Sequence, residues 1–128
     1  ILKKLSWANI KATLKAYFDT LYSLSVVTIR TYTGTTDTLV LTDAGNWVRG
    51  NNASPNVMTV PTNAVVAFPV GSQVSGSQYG AGQMSIAAAG GVTINSAGGA
   101  LKLAQRYSPY LLTKTGTDEW HLSGDITT

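Results

Sequence analysis

From Val26 onward the chain is cut into short pieces by turn signals, and that spacing limits the folds open to it. TGTTD, TDAGN, NNASPN, VPTN, AGG and SAGG separate segments rich in β-branched residues. The segments are VVTIRTY (26–32), TLVLT (38–42), NWVR (46–49), VMTV (57–60), AVVAF (64–68) and SQVS (72–75). QMSIAA (83–88), GVTIN (91–95), LKLAQ (101–105), YLLTKT (110–115) and EWHLSG (119–124) follow. Roughly ten short strands at such intervals predict a β-sandwich or barrel. The expected fold is therefore mainly β, with an antiparallel, jelly-roll-like β-sandwich body over 26–128. In Gly80–Gly99, Met84, Ile86, Val92 and Ile94 alternate with small or polar neighbours. That stretch reads as a strand, a tight glycine turn and a second strand. There is no strict repeat, so a β-helix is not expected.

One segment breaks the pattern. Within SWANIKATLKAYFDTLYSL, Trp7, Ile10, Leu14, Tyr17, Leu21 and Leu24 recur at alternating spacings of three and four, the seam of a heptad. Ser6 suits the N-cap, and Ala8, Ala12 and Ala16 favour a helix. Such a stripe fits either packing on the chain's own domain or a parallel stalk made with copies of itself. The bulk of Trp7 and Tyr17 argues against a tight dimer and suits a trimer or a looser bundle. Residues 1–25 are accordingly expected to form a helical stalk, trimeric and coiled-coil, ahead of the β body.

Composition narrows the partners. Charged residues make up 12% of the chain, against about 25% in ordinary soluble domains. The net charge of +3 arises near the N-terminus, where Lys3, Lys4, Lys11 and Lys15 face Asp19 alone. From Val26 onward basic and acidic residues balance, so no basic stripe for nucleic acid is expected on the body. No apolar run reaches membrane-spanning length, so no membrane insertion is expected. ILKKL has too little apolar core for a signal peptide, and an opening Ile suggests a piece of a longer chain or a trimmed one. There is no cysteine, which excludes disulfides, thiol catalysis and zinc–thiolate sites.

Catalytic chemistry finds little footing. His121 is the single histidine, on the strand face opposite Trp120 and Leu122, with no spaced partner for a metal or a triad. Glycoside hydrolysis needs two placed carboxylates. Asp118 and Glu119 are adjacent and so point to opposite faces. Asp37, Asp43 and Asp125 sit in turns, where Asp43 suits backbone capping. GAGQ and AGG lack the context of a phosphate loop. No catalytic residue, metal or cofactor is expected. What remains are flat aromatic surfaces suited to sugar rings, from Trp47, Tyr79, Tyr107, Tyr110 and Trp120. Polar loops add to them. Asn51, Asn52 and Tyr79 are the candidate receptor-binding residues, in GNNASPN and GSQYG, on the end of the body away from the stalk.

The body resembles modules of bacteriophage tail fibre and tailspike-type virion proteins. The stretches that carry the resemblance are LVLTDAGNWVRGNNASPNVMTVP (Leu39–Pro61), AVVAFPVGSQV and GAGQMSIAAAGGVTINSAGGALKLAQRYSPYLLTKTGTDEWHLSGDIT. They cover most of residues 38–127, and WANIKATLKAYFDTLY looks like a segment that precedes such modules. The resemblance implies a virion location in a tail appendage, a homotrimer and contacts with other virion tail proteins, and the lack of two placed carboxylates argues that the module is not an enzyme. The expected role is a structural and attachment module with host surface polysaccharide as a candidate ligand. The alternatives are a purely structural trimerisation or capping domain, or a carbohydrate-binding accessory domain beside a depolymerase.

Overall fold

The computed structural model describes residues 6–22 and 26–128. Leu24, the last residue of the expected seam, lies outside the described residues. One helix, α1 (Trp7–Tyr22), precedes eleven strands: β1 (Ile29–Tyr32), β2 (Thr36–Thr38), β3 (Trp47–Gly50), β4 (Asn56–Val60), β5 (Gln73–Gln78) and β6 (Met84–Ala88). They continue with β7 (Thr93–Ser96), β8 (Lys102–Leu103), β9 (Pro109–Gly116), β10 (Glu119–Gly124) and β11 (Ile126–Thr127).

The helix starts where its capping residue places it. The Asn9 amide donates to Ser6 Oγ at 3.1 Å, and the Ile10 amide donates to the Ser6 carbonyl. Lys15 pairs with Asp19 one turn on, both exposed, an arrangement that contributes little. Of the seam, Trp7 is 66% exposed, Leu14 47%, Tyr17 59% and Leu21 55%.

The body is mainly β and has two sheets, both mixed. One has the order β1–β3–β5–β9–β10–β7, the other β11–β8–β6–β4–β2. The antiparallel jelly-roll expectation needs correcting here. Pairings β1–β3, β3–β5, β2–β4, β4–β6 and β7–β10 are parallel. From β1 to β8 the chain alternates between the two sheets, and β3, β4, β5 and β6 each lie parallel beside the preceding strand of their own sheet, as in a wound coil. Ile29 lies opposite Trp47, and Trp47 opposite Ser75. The second advance is the longer, so the winding leaves no fixed period in the sequence. The strand, glycine turn and second strand expected within Gly80–Gly99 are present as β6, the turn at Gly90–Gly91 and β7, and the turn carries the chain from one sheet to the other. True antiparallel structure comes late. The β9–β10 hairpin turns at Thr117–Asp118 and inserts between β5 and β7.

Two expected strands are irregular instead. In TLVLT, Asp43 Oδ2 accepts the Val40 amide and tightens Leu41–Asp43 into a 3-10 turn. The strand β2 ends just before it. AVVAF lies between Pro61 and Pro69, with the Val65 and Val66 amides both donating to the Thr62 carbonyl. This turn drops Phe68 into the core, where its ring meets Trp120 edge-on at 5.3 Å.

A single core joins the sheets. Val48, Val74, Tyr110, Leu112, Trp120 and Leu122 from one meet Met58, Val60, Met84, Ile86 and Leu103 from the other. These are the alternate positions of each strand. Lys114, also inward and only 2% exposed, satisfies its ammonium with Asn63 Oδ1 and the Phe68 carbonyl, each at 2.7 Å. Its cost of burial is offset by tying β9 to the Phe68 turn. The open edge near β1 and β2 is closed by charge. Arg30 donates from Nε and a terminal nitrogen to both oxygens of Asp43 at 2.8 Å, and from its other nitrogen to Asp37. The Asp43 hydrogen bond is the largest cause holding the Arg30 pKa above its ordinary value. Inward charge of this kind protects sheet edges from further pairing.

Tyr32 and Tyr110 set a pH limit. Tyr32 donates its hydroxyl to Asn56 Oδ1 at 2.7 Å, and Tyr110 donates to the Val48 carbonyl at 3.0 Å. Burial pushes both phenols above their usual pKa, helped at Tyr32 by the charge of Asp37. A raised folded pKa means that the folded protein holds protons the unfolded chain releases. Stability is thus intact below the unfolded value of about 10 and falls as pH rises beyond it. With both groups involved the slope approaches about 2.7 kcal/mol per pH unit. Urea titrations between pH 9 and pH 11 should show this decline, and Tyr110→Phe should halve it.

Candidate functional site

Strands β1, β3 and β5 are parallel, so they share a beginning and an end. They begin where the chain arrives from residues 26–28, and they finish at Tyr32, Gly50 and Gln78. The loops leaving that far end are those predicted to bind a receptor, and the backbone ties them together. The Tyr79 and Gly80 amides both donate to the Gly50 carbonyl, at 2.9 and 3.0 Å, and the Gly82 amide donates to the Asn52 carbonyl at 2.9 Å. Glycine is required at 80, since a Cβ there would stand 2.3 Å from the Asn52 carbonyl oxygen.

Within this surface the predicted residues differ in use. Asn52 spends its side chain inside the loop, donating to the Thr33 carbonyl at 2.7 Å and accepting the Ser54 amide at 2.8 Å. It shapes the loop. Asn51 is exposed, held by its amide to the Tyr32 carbonyl at 2.9 Å. Tyr79 forms the middle of a ladder. The Arg49 guanidinium lies over its ring at 4.1 Å, and its edge meets Tyr107 at 6.0 Å. Arg106 lies over the Tyr107 ring at 4.8 Å and donates from Nε to the Tyr79 carbonyl at 3.0 Å. Arg49 anchors its own Nε on Thr31 Oγ1 at 2.8 Å.

The sequence reading missed both arginines. A signal existed for Arg49, because the alternation that buries Val48 turns its neighbour outward. Arg106 had none, since only the approach of the loop before β9 to the end of β5 brings it to Tyr79. That approach is firmly fixed. The Tyr107 amide donates to the Gln78 carbonyl at 2.7 Å, and the Gln78 amide to the Ser108 carbonyl. Ser108 Oγ accepts the Gln105 amide and donates to Asp125. Gln78 is buried, and its Oε1 accepts the Met84 amide.

The remaining candidates go elsewhere. Tyr110 and Trp120 are core residues. Trp47 lies half-buried at the opposite end of β3, with Val27 and Ile29. His121 faces outward into a shallow groove with Asn95, Ser96 and Gly124. Asp118 accepts the Asn63 amide, and Glu119 accepts the Thr115 hydroxyl, so both serve turns. Among the described residues no group of three His, Cys, Asp or Glu side chains could hold a metal, and no helix is long and apolar enough to cross a membrane. Compared with known proteins, the chain matches no family model, no curated protein and no solved structure.

Proposed function

We propose that this chain is a non-enzymatic structural and attachment module of a phage tail fibre or similar virion appendage. It acts as a parallel homotrimer, with α1 as a three-stranded coiled-coil stalk, and it binds host surface polysaccharide. The observation that carries the reading is the exposed seam. Every described side chain of α1 except Ile10 is exposed, so the apolar stripe has no cover from its own domain. Water disfavours such a stripe by about 1.5–3 kcal/mol for each large side chain, so it calls for a partner. Identical copies supply one with matching register. Val26, Val27 and Ile29, at the start of the body, are exposed apolar residues as well. Asn51 and Tyr79 then stand at the other end of the strands, away from the stalk. Three copies on one axis turn weak single contacts into avidity.

Adsorption of the trimer to a panel of bacterial cells tests this. Wild type is expected to adsorb to its host and Tyr79→Ala to lose most of that adsorption. A trimer that adsorbs to none of them would reduce the role to scaffolding.

A further inference from the structure

We infer that the ladder Arg49–Tyr79–Tyr107–Arg106 is a binding site for acidic saccharide, a sugar ring carrying a carboxylate or a phosphate. This deepens the attachment reading and rests on it.

Three observations converge. First, the guanidinium groups are unspent. Among the described residues, Arg49 and Arg106 each hydrogen-bond only through Nε, and neither has a carboxylate within 4 Å. By contrast Arg30 is fully engaged by two aspartates. Two free forks on one surface match the oxygen pairs of carboxylate or phosphate. Second, the rings give those anions a context. Tyr107 is 60% exposed and Tyr79 37%, and exposed phenol faces stack on sugar rings. Each ring is backed by its arginine, so ring and cation are offered together.

Third, Tyr107 is held in a costly conformation. Its φ is 70°, the one non-glycine residue of positive φ among those described. An aromatic side chain is disfavoured there, and folding alone would be better served by glycine. The bonds through Gln78 and Ser108 hold the backbone in that state regardless. The ring makes no core contact that would repay the strain; its neighbours are Tyr79 and Arg106, both at the surface. Nucleic acid is a poorer match, since it needs a stripe of cations and the body from Val26 on is charge-balanced.

The test uses the whole chain immobilised for interferometry, with polygalacturonate, a teichoic-type polyol phosphate, neutral dextran and duplex DNA as probes. Binding to polygalacturonate or to the polyol phosphate, but not to dextran, is expected, and the preference between the two names the anion. Arg49→Gln and Arg106→Gln should each weaken it about tenfold, as loss of a charge-assisted hydrogen bond does. Tyr107→Gly should abolish binding while leaving the melting temperature unchanged or raised, which a purely structural tyrosine would not do. Dextran binding that ignores both arginine changes would overturn the acidic preference and leave saccharide attachment standing. Stronger binding to DNA than to either polyanionic saccharide would overturn the inference. Wild-type binding to no saccharide at all would remove it together with the glycan part of the attachment reading.

Discussion

Gly76→Ala should be the most damaging single methyl in the body, costing at least about 3 kcal/mol, the upper end of what overpacking exacts. Gly76 sits in β5 between Val48 and Tyr110 in the register of the first sheet. A Cβ there would come within 1.7 Å of the Val48 carbonyl oxygen and 2.6 Å of the Tyr110 ring. The first of these is backbone and cannot swing aside. Relief would require breaking the hydrogen bond from the Tyr110 hydroxyl to that same carbonyl and parting β3 from β5. Gly90→Ala is the control, since a Cβ there meets nothing within 4 Å. Urea unfolding should find Gly90→Ala within about 0.5 kcal/mol of wild type, as surface changes are. Equal midpoints for the two variants would show that Gly76 is not a packing constraint.

Leu14→Asp should dissociate the assembly and leave the body folded. In the proposed trimer, three leucines would leave the seam at about 2 kcal/mol each, and three carboxylates would enter it at further cost. The expected result at micromolar concentration is loss of helical ellipticity with the β signal retained. The body keeps its own core, to which α1 contributes none of its described side chains. An unchanged mass and spectrum would mean that the seam is not where subunits meet.

The sequence announced some levels of this organisation and hid others. Alternation set Met84 with Ile86 on one strand face and Trp120 with Leu122 opposite His121, and both pairs lie in the core, because burial along a strand follows a two-residue period. It could not say which strands are neighbours. The parallel winding is set by pairings such as Val57 with Ser85, and a strand carries the same pattern whether its neighbour runs with or against it. AVVAF looked like a strand by composition, yet its flanking prolines and the bonds to Thr62 fold it into a turn. Ser6 and the heptad spacing were enough for α1, since caps and helix faces are local. Tyr79 and Asn51 were legible as loop residues with useful chemistry. Arg106 was not, because it reaches Tyr79 only through the buried bonds of Gln78 and Ser108.

The central claim is that three copies of this chain close over the exposed seam of α1. Light scattering coupled to size exclusion, at micromolar concentration and moderate salt, measures that directly. The account predicts a mass three times that of the 13.4 kDa chain, independent of salt because the contact is apolar. A mass of one chain, or of two, would contradict it.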